Sequence, residues 1–274
     1  MIGFAANMTA FETLFLPHIH PSCRPMVKPV LLITGGSRGI GAASALLAAQ
    51  NGYAVALNYQ VNSLAADAVV QQISASGGQA IALQANVAIE AEVMAMFEQI
   101  DAKLGRLTAL VNNAGIVDVA ARVDNMSIAR LKRMFEINVL GSFLCAREAI
   151  RRMSTRHGGA GGAIVNVSSA AARLGGAGQY VDYAASKGAI DTFTVGLARE
   201  VAAEGIRVNA VRPGIIDTEI HASGGQPERA RQMAPQVPLQ RAGTALEVAQ
   251  TIIWLLSEQS SYSTGVLLDV SGGR

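Results

Sequence analysis

Cysteine is scarce in this 274-residue sequence: Cys23 and Cys145 are the only two, and neither stands in a Cys-x-x-Cys or metal-ligand spacing. That excludes a disulfide framework and makes a reducing compartment the expectation. Histidine is equally thin, with four residues; His18 and His20 sit in a Pro-containing tail without a third ligand, so no metal is expected. Charged residues make up only 15% of the chain and the net charge is +2. No run of Lys and Arg forms a footprint for nucleic acid or an anchor for a membrane surface. No apolar stretch reaches the roughly 20 residues that cross a bilayer. The first 25 residues lack the basic n-region of a signal peptide. Together these absences predict a cytoplasmic protein whose partner is a small molecule.

What the sequence does have is apolar content, 50% of the chain, enough to fill a core. From Val30 onward, short β-branched and aliphatic runs alternate with Ala-rich segments of helical period, the pattern of βαβ units around a parallel sheet. Strands are predicted at 30–34, 54–59, 79–84, 109–112, 162–168, 207–211 and 266–270. Helices are predicted at 39–51, 63–76, 89–104, 127–155, 183–203 and 245–257, with Ser127 as an N-cap and Gly158-Gly159 closing its helix. The expectation is α/β: a single doubly wound domain over 26–274, with a seven-stranded parallel sheet and helices on both faces. Residues 1–25 are expected to be a disordered extension, or to precede a true start at Met26. The segment 217–241 has two prolines, Gly224-Gly225 and weak periodicity, and loops of this length usually bind or gate a ligand. It is the candidate substrate lid.

The first strand runs into Thr34-Gly35-Gly36-Ser37-Arg38-Gly39-Ile40-Gly41 and then a helix. Glycines there allow a tight turn and let a pyrophosphate approach the free amides of the helix N-terminus, which makes the domain Rossmann-like. Three further motifs follow in order: Asn112-Asn113-Ala114-Gly115 at the end of the fourth strand, Tyr183-Ala184-Ala185-Ser186-Lys187, and Pro213-Gly214 followed by Thr218. In the spacing Gly35-x-x-x-Gly39-x-Gly41 and in these motifs the sequence resembles the classical short-chain dehydrogenases/reductases, over about residues 28–274. Within that family the run from Tyr180 to Asp191 is most similar to bacterial reductases without a settled substrate, relatives of 3-oxoacyl-carrier-protein reductases and glucose 1-dehydrogenases.

The resemblance implies an oxidoreductase that moves hydride between a nicotinamide and a carbonyl or secondary alcohol. It places the pyrophosphate on the glycine loop through Gly35, Ser37, Gly39, Ile40 and Gly41. Asn113, Ala114 and Gly115 fall along the cofactor's path, and Pro213, Gly214, Ile216 and Thr218 at its nicotinamide end. An acid at the end of the second strand would select NAD, but that strand ends Asn58-Tyr59-Gln60, and Arg38 stands in the loop. NADP(H) is therefore expected, with Arg38 clamping the 2′-phosphate and Asn58, with Tyr59 or Asn62, assisting; a solvent-facing Arg38 is the plain alternative. Where the family usually has an acid followed by a small aliphatic residue at the adenine site, this chain has Asn86-Val87. That departure weakens the adenine contact without touching the chemistry.

Tyrosine ionises near pH 10, so it needs an activator. Lys187 lies four residues on, one helical turn along the same face, where its ammonium favours the phenolate. The resemblance gives Lys187 a second task at the nicotinamide ribose. Tyr180 lacks such a partner, because Ala184 follows it at the same spacing. Ser169, rather than the adjacent Ser168, is expected to orient the substrate oxygen, and Asn138 to hold a water relaying protons to Lys187; capping a helix kink is the structural alternative for Asn138. His157 and His221 receive no catalytic role. A basic patch of Arg229, Arg231 and Arg241 would suit an acidic carrier protein, and a sugar is the next substrate class. A non-catalytic NADP-binding sensor is the rival outside enzymology. A homotetramer is expected through the helices at 127–155 and 183–203, the second carrying several small residues.

Overall fold

The computed structural model describes residues 28–274; the expectation for residues 1–25 and for Met26 falls outside them. The elements, in chain order, are β1 (Val30–Ile33), α1 (Gly39–Gln50), β2 (Ala54–Tyr59), α2 (Ser63–Ala75), β3 (Gln79–Gln84), α3 (Glu90–Lys103) and β4 (Leu107–Asn112). Then come α4 (Ile128–Phe135), a π-turn (Glu136–Leu140), α5 (Gly141–Met153), β5 (Gly162–Val167), α6 (Ala171–Leu174), α7 (Val181–Val201) and β6 (Ile206–Pro213). The chain ends with β7 (Ile216–Asp217), α8 (Ile220–Ser223), α9 (Arg229–Met233), β8 (Gly243–Thr244), α10 (Ala245–Leu256) and β9 (Leu267–Val270).

Seven strands form one parallel sheet in the order β3-β2-β1-β4-β5-β6-β9. Strands buried on both faces need continuous apolar runs, and β1, Val-Leu-Leu-Ile, is buried at every position. One core packs Phe97 and Ile100 of α3, Cys145 and Ala149 of α5 and Leu197 of α7 on one face. The other packs Ala45 and Ala48 of α1, Ile73 of α2 and Val248 and Ile252 of α10 on the opposite face. Thr244 accepts from the Glu247 amide while Glu247 accepts from the Thr244 amide, a reciprocal cap that fixes where α10 starts. The winding reverses between β1 and β4, which opens a crevice at the carboxyl ends of those strands, where such sheets bind ligands.

Two predicted helices differ in ways that matter for the site. The helix predicted at 127–155 keeps its Ser127 cap but is divided by the π-turn, which contains Asn138. Periodicity could not show this, because one extra residue per turn leaves the apolar stripe almost in register. The second helix begins at Val181 rather than Tyr183, so Tyr183 lies inside its first turn. The predicted lid segment holds the short helices α8 and α9, with β7 and β8 pairing at its two ends.

Candidate active site

The glycine loop is held open by specific bonds. Gly35 and Gly39 adopt φ of 62° and 52°, conformations that a side chain disfavours. A Cβ on Gly41 would lie 2.3 Å from the Gly35 carbonyl oxygen and 2.6 Å from Asn113 Nδ2. Asn113 Nδ2 donates to the carbonyls of Thr34 and Gly35, both at 2.9 Å, and the Thr34 hydroxyl accepts the amides of Asn113 and Ala114, both at 3.0 Å. Thr34, which the sequence reading passed over, thus ties the end of β1 to the end of β4.

Asn58 is buried. Its Oδ1 accepts the Gly35 amide at 3.2 Å and its Nδ2 donates to the Ala85 carbonyl at 2.9 Å, so its carboxamide shapes the loop from below. Tyr59 is half-buried beside it, and Asn62 caps α2. Ser37 and Ile40 are half-buried, whereas Arg38 is exposed and makes no side-chain cap to α1. Asn86 Oδ1 accepts the Ala88 amide at 3.0 Å, and the Asn86 amide donates to Glu92 at 2.7 Å. Val87 is buried against Gly141, where a Cβ would lie 2.7 Å from Val87 Cγ2.

On the other side of the crevice, Pro213 ends β6 and Gly214 passes so close to Ser271 that a Cβ would lie 2.7 Å from its Cα. Ile216 is buried in β7, and Thr218 comes within 3.4 Å of where a Gly39 Cβ would stand. The residues singled out for the cofactor therefore rim one crevice. Bare backbone lines the glycine loop there, and the exposed Arg38 guanidinium is available at its edge. That is the cradle a dinucleotide fits.

The acid-base group gathers around Gly115. A Cβ there would lie 3.4 Å from Asn138 Oδ1 and 3.5 Å from Lys187 Nζ. Asn138 reaches this point because the π-turn swings it off the helix face, and such turns often occur at functional sites. Its Oδ1 accepts the Ile116 amide at 2.8 Å, and its Nδ2 donates to the Ile116 carbonyl at 3.0 Å and to Ser186 Oγ at 3.1 Å. Lys187 Nζ is buried and donates to the Val167 carbonyl at 2.7 Å. The two serines separate cleanly. Ser168 is buried and bonds the Lys187 carbonyl at 3.1 Å, whereas Ser169 is half-buried, accepts the Ala171 amide at 3.1 Å and reaches the Tyr183 phenol.

The electrostatics differ from the expectation. Burial pushes the Tyr183 phenol above its usual value, and the hydrogen bond from Ser169 pulls it only partly back. Burial also pushes Lys187 down to about 8, with the Asp191 carboxylate opposing it. The lysine sits 5.7 Å from the centroid of the Tyr183 ring and gives its proton to Val167, so it does not lower the phenol as its spacing suggested. A phenol held in this way is protonated at neutral pH and ready to donate.

Other candidates lie around this group. Tyr180 is buried beneath Arg229, whose guanidinium carbon stands 5.1 Å from the ring centroid. His221 Nε2 contacts the Ile216 carbonyl at 2.9 Å, and burial holds its pKa below the usual value. His157 is exposed at the far end of the sheet, where its carbonyl accepts from Arg106. An unforeseen feature is a buried ion pair in which Arg130 of α4 grips Asp182 with Nε at 2.7 Å and Nη2 at 3.1 Å, directly before Tyr183. No helix among the described residues is long and apolar enough to cross a membrane.

Comparison with known proteins agrees with this geometry. A family model described as "Enoyl-(Acyl carrier protein) reductase" matches residues 35–274. An Escherichia coli K12 protein named "Uncharacterized oxidoreductase YgfF" is 57% identical over 245 residues, 89% of this chain and 99% of that protein. The 3-oxoacyl-[acyl-carrier-protein] reductase FabG of Staphylococcus aureus is 39% identical over 247 residues, 88% of this chain and 96% of that one. Among solved structures, a short-chain dehydrogenase from Burkholderia cenocepacia in complex with NADP superposes with a TM-score of 0.82 at 33% identity, covering 89% of this chain and 97% of that one. A seven-stranded sheet, a glycine loop at its switch point and relatives matched along nearly their whole length place this chain in the short-chain dehydrogenase/reductase family of oxidoreductases.

Proposed function

We propose that the protein is an NADP(H)-dependent oxidoreductase interconverting a carbonyl and a secondary alcohol, with Tyr183 as acid and base. The observation that carries this reading is the convergence of Asn138, Lys187 and Gly115, with Ser169 against Tyr183, at the mouth of the glycine-loop crevice. The bound nicotinamide supplies hydride to the carbonyl carbon in reduction and takes it back in oxidation. Ser169 and Tyr183 hold the substrate oxygen, and Tyr183 passes its hydroxyl proton to that oxygen as it gains charge. Lys187 places a positive charge beside the phenolate so formed, and Asn138, fixed on Ile116, keeps the wall of the pocket in place. Asn113, Ala114 and Gly115 line the path to this point, and Ile216, Thr218 and the segment to Arg241 form the lid.

NADP(H) is preferred because β2 ends without an acid and Arg38 projects unpaired by any cap at the loop. Of the three lid arginines, Arg231 pairs with Glu228 at 3.0 Å and Arg241 with Glu247 at 2.6 Å, so the lid does not present the basic patch an acidic carrier protein would need. A small free carbonyl compound is the favoured substrate. The test is NADPH and NADH oxidation over ketoesters, diketones, quinones, aldehydes and acyl thioesters. Turnover is expected with NADPH well above NADH, and Arg38→Glu is expected to reverse that order by placing a carboxylate at the 2′-phosphate. Tight NADPH binding with no turnover across the panel would favour the sensor.

The assembly is proposed to be a homotetramer through the outer faces of α5 and α7. Phe143 stands 46% exposed there and stacks on Phe193 at 3.9 Å, an aromatic pair that association would cover. Sedimentation should read four chains, and a mass near 28.5 kDa would refute it.

A further inference from the structure

Lys187 is followed one helical turn later by Asp191, and both are buried, at 5% and 7% exposure, on one side of α7. A carboxylate gripped by arginine usually spreads the bonds over both oxygens. Here both Arg212 contacts, Nε at 3.0 Å and Nη2 at 2.8 Å, fall on Asp191 Oδ2. Asp191 Oδ1 is buried without a hydrogen-bond partner. Leaving a charged oxygen so placed costs stability unless a nearby charge offsets it, and Lys187 is the cation on the same helix face.

The surrounding charges are arranged to match. Arg212, on β6, lies 3.9 Å from Asp269 of β9, and Asp269 lies 3.1 Å from Arg173 of α6. Lys187, Asp191, Arg212, Asp269 and Arg173 therefore alternate in sign from the site to the surface. The other ion pair on α7, Asp182 with Arg130 of α4, is closed on itself through both oxygens. Asn138 of the π-turn and the serines after β5 are neutral. The carboxylate that faces Lys187 is thus Asp191 alone, with Arg212 behind it.

We propose that Asp191 is a positioning residue that holds Lys187 in its ammonium form, and that Arg212 moderates this hold by competing for the same carboxylate. The proposal rests on the reading of Lys187 as the partner of Tyr183. It accords with a lysine that burial lowers to about 8 while Asp191 resists the fall. The protonation range of the active site is then set from outside it, by a pair that touches neither substrate nor cofactor.

The two members predict shifts of opposite sign. Asp191→Asn keeps the shape and removes the charge, so the titration midpoint of Lys187 should fall by roughly one pH unit. Arg212→Gln frees the carboxylate for Lys187, so the midpoint should rise. The chain has four lysines, so a spectrum of protein labelled with 13Cε-lysine, with Lys187 assigned by its loss in Lys187→Arg, follows the midpoint without any turnover. The alkaline limb of kcat should move the same way in each variant, and Asp191→Glu should restore it. Shifts of the same sign, or an unmoved midpoint in folded protein, would overturn the proposal. If Arg212→Gln does not fold, the direction in Asp191→Asn decides alone. Absence of turnover in the parent protein would remove the proposed function and leave the lysine titration to test this inference separately.

Discussion

Tyr183→Phe is expected to lower kcat by about 10²–10⁴-fold, the range general acid-base catalysis spans, while NADPH affinity and thermal stability stay at parent values. The substitution removes one oxygen and keeps the ring that packs under Lys187. Because burial holds the phenol protonated at neutral pH, the lost function is the delivery of a proton, and no other described group stands ready to replace it. Ser169 is placed against the phenol but accepts the Ala171 amide, and a serine hydroxyl is a far weaker acid than a phenol. Single-turnover mixing of NADPH-loaded enzyme with the best substrate isolates the hydride step from product release. An unchanged rate in the variant would remove Tyr183 from the chemistry and with it the proposed role of its neighbours.

The sheet was legible because parallel strands buried on both faces must be runs of Val, Ile, Leu and Ala, as β1 and β5 are, and such runs stand out between helical periods. The glycine loop was legible for a related reason: positive φ and close backbone approach admit few other residues. What the sequence could not show depends on contacts between distant segments. Arg130 and Asp182 are 52 residues apart, and neither carries a local sign that the other is its partner. The π-turn is invisible to periodicity, and yet it delivers Asn138 to Ile116, 22 residues away. Ser168 and Ser169 differ only in which side of β5 they leave, which no composition records. The direction of the Tyr183 shift also escaped, because helical spacing measures the nearness of a charge but not the depth of burial opposing it.

Gly41→Ala should show how far the cofactor crevice depends on one missing methyl group. The added carbon would stand 2.3 Å from the Gly35 carbonyl oxygen and 2.6 Å from Asn113 Nδ2. Neither neighbour is free to retreat. The Gly35 amide is held by Asn58 and its carbonyl by Asn113, whose side chain also binds the Thr34 carbonyl. Relief therefore requires a shift of the loop, of the first turn of α1, or of the β4 end that leads to Gly115. Overpacking of this kind costs about 1–3 kcal/mol. Because the displaced atoms form the proposed pyrophosphate cradle, NADPH affinity should fall about 10–100-fold, the equivalent of that cost. Tyr183 and Lys187 lie beyond the disturbed loop, so kcat at saturating NADPH should change much less than KM for NADPH. Fluorescence titration and melting temperature read the two consequences. A variant that binds NADPH as the parent does would mean that the cofactor lies elsewhere than on this loop.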